Sequence, residues 1–193
     1  MKGLIKKLLR EGLETTTLSK EDFFQQNNID SEELSHLGSG DFGDAYSIGD
    51  GRVLKVTRSK SEFDLAKQLA GKDVPALVGF VNYYAADIVD NQHYIIMEEL
   101  EEDGHIEDLY YQLDELVNEQ GFPIQYLHML DTDELELDED ILKFISDIED
   151  VNYSYRYLGI EASDIKPDNL GVDKNGKVKA FDIDDRSLNE LYR

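Results

Sequence analysis

The sequence contains no cysteine and few basic residues. Without cysteine, disulfide frameworks, thiolate metal sites and cysteine nucleophiles are excluded. Lysine and arginine number 19 against 43 aspartate and glutamate, which gives a formal net charge of −24. Such a balance repels a phosphate backbone, so we expect no nucleic-acid partner.

Long apolar runs are also missing. None approaches the ~20 residues that span a bilayer, and the N-terminus lacks the continuous apolar stretch of a secretory signal. We therefore expect a soluble, cytoplasmic protein without a transmembrane segment. What is present is a hydrophobic fraction of 40%, which is enough for a real core.

The negative charge is concentrated in one stretch, because residues 98–150 contain 20 Asp and Glu but only one Lys, Lys143. This stretch covers the large helices, attracts a basic substrate, or is merely a solvated face with insertions. Residues 1–13 have the opposite character and predict a short basic amphipathic helix. Such a helix either folds back onto the acidic remainder of the chain or lies on an anionic membrane surface.

Hydrophobic periodicity predicts an α+β protein. The predicted strands lie near Leu37 and at 44–48, 52–57, 78–88 and 93–98, with a final hairpin at 170–172 and 178–181. The predicted helices lie at 19–28, 61–70, 106–117 and 141–158. Residues 122–136 are predicted to form a loop, from which Leu127, Met129 and Leu130 pack against the helices.

Glycines form a G-x-G-x-x-G run at Gly38, Gly40 and Gly43, with Ser39 inside it. The run alone is a weak signal, because turn-rich stretches use glycine for backbone reasons. A dinucleotide-binding fold would place it between a strand and a helix, whereas strand-like residues 44–48 follow it here. A glycine loop between two strands can instead cover the phosphates of a nucleotide.

Lys55 interrupts the apolar run from Val53 to Val56, and the next helix begins its buried stripe with Glu62. A half-buried ammonium group needs an opposite charge nearby. We therefore predict an ion pair between Lys55 and Glu62. Asp64 is the rival partner, but Glu62 fits the inner face of the helix better.

The most specific segment is the run Asp-Ile-Lys-Pro-Asp-Asn from Asp164 to Asn169, which is followed after a short hairpin by Phe-Asp-Ile-Asp from Phe181 to Asp184. Together with the glycine run, Lys55 and Glu62, these segments resemble eukaryotic-type Ser/Thr protein kinases. An Asp/Asn-rich turn with surface charges is the plainer alternative.

This resemblance implies an ATP- and Mg²⁺-dependent phosphotransferase that acts on Ser or Thr hydroxyls. The implied catalytic residues are Asp164 as base or orienter, Lys166 on the γ-phosphoryl group, and Lys55 with Glu62 on the other phosphates. The implied metal ligands are Asn169 and Asp182. The glycine run, with Gly38, Ser39, Gly40 and Gly43, would cover the nucleotide.

The resemblance also implies an adenine site. Met97 corresponds to the gatekeeper residue at the end of the last small-lobe strand. Glu98 and Leu100 would offer backbone groups to adenine, and Val53 and Ala45 would line the pocket.

The implied architecture is a single kinase-like domain over 1–193. It consists of a helical extension at 1–33, a small lobe at 34–100 with a five-stranded antiparallel sheet and one helix, and a reduced, mainly helical lobe at 101–193 with an acidic insertion at about 101–150. The sequence departs from the family at Ala162-Ser163, where His-Arg is usual, and at Asp184, where glycine is usual. It ends soon after Asp184, so we expect neither an activation segment nor the later helices.

Three functions follow from these features. The first is phosphate transfer to a hydroxyl-bearing protein substrate of basic character. The second is phosphorylation of a small molecule on the same scaffold. The third is a pseudokinase or acidic binding module that holds a partner protein without phosphate transfer.

Overall fold

The computed structural model describes residues 17–132, 135–159 and 165–181. The chain divides into two compact units. The first unit holds the described residues up to Val74 together with Asn82–Glu99, and the second holds Pro75–Val81 and the described residues from Leu100 onward.

The first unit is built on an antiparallel sheet of five strands, ordered β1-β2-β3-β5-β4. Its strands are β1 (Ser35–Gly40), β2 (Gly43–Ser47), β3 (Arg52–Thr57), β4 (Tyr83–Val89) and β5 (Gln92–Glu98), and its helices are α1 (Lys20–Gln26) and α2 (Lys60–Leu69). The predicted five-stranded antiparallel sheet with one crossing helix is therefore confirmed, as is the short helix before it.

Local sequence explains where these elements start and turn. Ser19 and Ser59 cap α1 and α2, because each serine oxygen accepts a hydrogen bond from the backbone N–H three residues later. Asp50 between β2 and β3 and the Asp90-Asn91 pair between β4 and β5 adopt positive φ. Asp and Asn tolerate this conformation better than other non-glycine residues, which suits them to tight hairpins.

The two faces of the sheet bury different groups. One face packs under α1 in an apolar cluster that contains Phe23, Phe24, Ile29, Ile48, Leu54, Val89, Tyr94 and Ile96. The opposite face packs against α2, as the stacked rings of Phe63 and His93 show at 4.4 Å between centroids. Because side chains alternate along a strand, the sheet has one face that buries this apolar cluster and one face that carries Lys55.

The second unit is mainly helical. It comprises α3 (Gly104–Glu119), α4 (Glu139–Leu158), the short strands β6 (Leu170–Val172) and β7 (Val178–Ala180), and 3₁₀ turns at Pro75–Leu77, Ile124–Met129 and Pro167–Asn169. Asp103 and Asp138 cap the two helices through their side chains, and Gly159 ends α4 in the left-handed conformation. The predicted helices and final hairpin are confirmed.

Two expectations about apolar residues are wrong. The strand predicted to start at residue 78 begins at Tyr83, because the apolar run before it belongs to the second unit. There Phe80 is buried and its ring lies 5.1 Å from that of Tyr155. Met129, expected to pack against the helices, is 62% exposed, whereas Leu127 is buried as expected.

Candidate functional site

The glycine run forms the hairpin that joins β1 to β2, as the sequence predicts. Gly40 pairs with Gly43 across a two-residue turn formed by Asp41 and Phe42. Both residues of the turn are exposed, as is every residue of β1. The run is thus a strand, a turn and a strand, and a dinucleotide-binding arrangement, which needs a helix here, is excluded.

The three glycines of the run have different surroundings. A Cβ atom on Gly43 would lie 2.2 Å from the backbone oxygen of Val56, so this glycine is required by the close packing of β2 on β3. A Cβ atom on Gly38 or Gly40 would meet nothing within 4 Å, and neither residue has positive φ. Nothing in the described part of the chain therefore requires glycine at these two positions.

Lys55 and Glu62 meet as predicted. Lys55 Nζ lies 2.6 Å from Glu62 Oε1, and the two side chains are 12% and 4% exposed. The local sequence explains why Lys55 meets Glu62. β3 directs Lys55 toward α2, and the Ser59 cap fixes the first turn of α2, where Glu62 lies. Asp64, the rival partner, pairs instead with Lys60 near the surface.

A third residue, Thr57, joins this pair and was not predicted from the sequence. Its Oγ1 lies 2.7 Å from the second carboxylate oxygen of Glu62 and 3.1 Å from the backbone oxygen of Phe42, and it accepts a hydrogen bond from Ser59 N. Arg58 N also donates to Phe42 O, at 2.6 Å. Thr57 therefore links the tip of the glycine hairpin to Glu62. Its position two residues after Lys55, on the same strand face, was the available signal.

The residues predicted to line an adenine pocket share this face of the sheet. Ala45 lies directly opposite Lys55, and Val53 lies directly opposite Met97. Directly opposed residues in an antiparallel ladder project to the same side, and so do residues two apart along one strand. The four side chains thus lie on the face that carries Lys55, and Gly38 lies opposite Ala45 at its edge.

The predicted hinge residues fall on both sides of the boundary between the units. Glu98 ends β5, where its N–H donates to Asn82 O at 2.8 Å and its carboxylate accepts from the Asn82 side chain at 2.9 Å. Leu100 begins the described second unit and packs on Gly171, where a Cβ atom would lie 2.7 Å from Leu100 Cβ. Their role toward adenine stays a prediction.

In the second unit, the segment before β6 presents Lys166 and Asn169 differently. Lys166 is exposed, whereas Asn169 is buried and its backbone carbonyl accepts from Phe181 N at 3.1 Å. Tyr110 of α3 anchors the segment, because its hydroxyl donates to Ile165 O at 2.8 Å. Burial raises the pKa of Tyr110, with smaller contributions from Asp114 and Tyr111, so the hydroxyl keeps the proton that it donates.

The β6–β7 hairpin contains a second buried ion pair. Lys179 Nζ lies 3.2 Å from Asp173 Oδ2, while Oδ1 accepts from the backbone N–H groups of Asn175 and Lys177 at 2.8 and 3.0 Å. Burial by itself would raise the pKa of Asp173. The backbone hydrogen bonds and the Lys179 ammonium outweigh it and hold this pKa below its ordinary value.

Two predicted site residues, Asp164 and Asp182, lie outside the described residues. Of the predicted metal ligands, the structure therefore places only Asn169. Among the described residues, no group of three or more His, Asp and Glu side chains is arranged to hold a metal ion. An amide oxygen such as that of Asn169 suits Mg²⁺, which is bound in proteins by few side chains and several waters or phosphate oxygens.

The sequence matches no protein-family model and no curated protein. No helix in the described ranges is long and apolar enough to cross a membrane.

Proposed function

We propose that the chain is an ATP- and Mg²⁺-dependent phosphotransferase of the protein kinase-like class, which transfers the γ-phosphoryl group to a Ser or Thr hydroxyl. The observation that carries this proposal is the buried Lys55–Glu62 pair beside a glycine hairpin with open glycines. The resemblance of the sequence from about Leu34 to Asp184 supplies the remaining roles.

The ion pair supports a role in phosphate binding. Glu62 accepts from both Lys55 and Thr57, so its carboxylate is fixed and in turn holds the ammonium group. An ammonium group held in place in this way can bind phosphate oxygens through charge-assisted hydrogen bonds. Because it is positioned before the nucleotide binds, little reorganisation opposes binding or transfer.

The open glycines support close approach of a ligand. Gly38 and Gly40 cost the folded chain conformational entropy, roughly 0.5 to 1 kcal/mol each relative to alanine in a strand. Neither residue has positive φ, and a Cβ atom on either would meet nothing within 4 Å, so the described chain gives no reason for glycine at these positions. Glycine is the residue of choice where a backbone must come close to a ligand, and a phosphate group covered by this hairpin would be such a ligand.

The second unit supplies the remaining roles in this proposal. Lys166 is exposed and offers an ammonium group to the γ-phosphoryl group. Asn169 is held by the backbone of its own segment and offers its side-chain oxygen to Mg²⁺. Asp164 and Asp182 complete the set as the orienter of the attacking hydroxyl and as the second metal ligand.

Transfer of radiolabelled phosphate from ATP tests the proposal. The assay measures autophosphorylation and phosphorylation of a basic generic protein substrate in the presence of Mg²⁺. Lys55→Ala and Asp164→Asn should each reduce transfer at least ~100-fold, since each removes a group that acts on the transferred phosphate. The matched controls Lys60→Ala and Asp168→Asn change exposed residues at the start of α2 and in the segment that contains Lys166, and they should keep the wild-type rate.

Two other outcomes have clear meanings. Transfer that survives both Lys55→Ala and Asp164→Asn would contradict the assigned site. Binding of Mg²⁺ and ATP without transfer to any protein or small-molecule hydroxyl would make the chain a nucleotide-binding module instead.

A further inference from the structure

The second unit contains a pocket of about 350 Å³ between the first turns of α3 and α4 and the β6–β7 hairpin. Its floor is apolar and includes Ile106 of α3, Phe144 of α4 and Val178 of β7, all of them buried. This volume lies in the range of pockets that bind small molecules or single side chains. None of the described residues assigned to phosphate transfer lines it.

The rim of this pocket is acidic. Asp103, Asp140 and Asp147 lie around it, and Lys143 is the one Lys or Arg among its described lining residues. The charge of Lys143 is already engaged, because Nζ lies 3.1 Å from Asp147 Oδ2 and also donates to Gly176 O. Asp103 and Asp140 form no ion pair with any described residue.

The helix starts nearby do not cancel this charge. Asp103 caps α3 by accepting from His105 N at 2.9 Å, and Asp140 lies in the first turn of α4. A helix N-terminus carries roughly half a positive charge, so the two ends together offset about one of the two unpaired carboxylates. The rim therefore keeps a net negative charge above an apolar floor.

We propose that this pocket binds a basic peptide segment of a partner protein, with a Lys or Arg side chain at the rim and a neighbouring aliphatic side chain on the floor. A Lys or Arg side chain has an apolar stem and a charged head. The stem suits the apolar lining of the pocket, and the head suits its acidic rim. The proposal does not depend on phosphate transfer, because it concerns only the binding of a basic peptide.

Fluorescence anisotropy with a labelled octapeptide of alternating arginine and leucine tests the proposal. A peptide of alternating arginine and serine keeps the charge and removes the aliphatic groups, so the full chain should bind it at least ~10-fold more weakly, since several buried methylene groups are lost. A peptide of alternating glutamate and leucine should not bind, because its charge has the same sign as the rim.

The double variant Asp103→Asn and Asp140→Asn removes the unpaired rim charges and should weaken binding of the arginine–leucine peptide at least ~10-fold. Asparagine caps a helix about as well as aspartate, so the fold is kept. The matched control, Glu107→Gln with Glu115→Gln, removes the same charge from exposed residues of α3 that do not line the pocket. It should weaken binding less than ~2-fold, because these two charges do not line the pocket and act on the peptide only through screening solvent.

Equal weakening by the two double variants would overturn the proposal, because affinity would then reflect the overall negative charge of the chain. Equal affinity for the arginine–leucine and arginine–serine peptides would overturn it as well, because the apolar floor would then play no part. The melting temperature of each variant, measured beforehand, separates loss of binding from loss of folding.

Discussion

Each unit contains a hairpin next to a buried ion pair between a lysine and a carboxylate, and the two pairs are built differently. In the β6–β7 hairpin, Asp173 receives Lys179 and two backbone N–H groups, all from within the hairpin itself. Beside the glycine hairpin, Glu62 lies on a helix and receives two side chains of the described chain, Lys55 and Thr57. The first arrangement closes a turn, whereas the second positions an ammonium group.

This difference decides what each pair contributes. A buried ion pair gives little net stability when hydrophobic residues of similar volume can replace it. A carboxylate that also accepts hydrogen bonds from backbone N–H groups has no such replacement, because the N–H groups remain after it is removed. The Asp173 pair should therefore be required for stability, and the Lys55–Glu62 pair for function.

The largest effect is expected from apolar replacement of the pair in the β6–β7 hairpin. Asp173→Leu with Lys179→Met leaves the N–H groups of Asn175 and Lys177 without an acceptor. The free energy of unfolding should fall by about 2 to 4 kcal/mol, since two part-buried hydrogen bonds to a charged carboxylate are lost. Urea denaturation followed by circular dichroism measures the loss. A midpoint within error of the wild type would show that the hairpin does not need this carboxylate.

The same replacement at the other pair should have the opposite result. Lys55→Met with Glu62→Met substitutes side chains of similar size and removes both charges of the pair, so the free energy of unfolding should change by less than about 1 kcal/mol. Phosphate transfer from ATP should fall at least ~100-fold, because the held ammonium group is gone. If this variant unfolds like the Asp173 variant, the two pairs do not differ in the way described.

The glycine hairpin allows a smaller effect to be tested, because Gly43 can be compared with Gly38 and Gly40 in the same hairpin. Gly43→Ala places a methyl group against the backbone of Val56 and should cost about 1 to 3 kcal/mol, as is usual for overpacking. Gly38→Ala with Gly40→Ala enters open space and should leave stability unchanged or slightly raised. In the transfer assay, the double variant should raise the KM for ATP several-fold. An unchanged KM would remove the argument that these glycines make room for a ligand.

The sequence predicted the Lys55–Glu62 pair because both signals are local. Lys55 breaks an apolar strand, Glu62 begins an apolar helical stripe, and Ser59 sets where the helix starts. The Asp173–Lys179 pair was not predicted, although the turn from Asp173 to Gly176 was. Turn residues show where a chain reverses but not how deeply the hairpin is buried. The hairpin is buried by α4, whose Asp147 accepts a hydrogen bond from Val178 N.

The misplaced start of β4 has a related cause. An apolar run satisfies the pattern of a strand whether its hydrogen-bond partners lie in the same sheet or elsewhere. The residues before Tyr83 find theirs in the second unit, where Val81 N donates to Ala180 O at 3.1 Å and Phe80 packs on Tyr155. Hydrophobic periodicity does not show partners that are distant in sequence. The sequence therefore could not show that the residues before Tyr83 belong to the second unit.

The smallest expected effect on phosphate transfer concerns Thr57, which holds Glu62 in position but carries no charge. Thr57→Val keeps the shape but removes the hydroxyl that bonds Glu62 and accepts from Ser59 N, so the free energy of unfolding should fall by about 1 to 3 kcal/mol. With Glu62 less firmly held, the KM for ATP should rise a few-fold while kcat changes little, because Lys55 keeps its charge. Thr57→Ser retains the hydroxyl and should restore both values. If serine fails to restore the KM, Thr57 acts through the packing of its methyl group, and the link from the hairpin tip to Glu62 has no part in nucleotide binding.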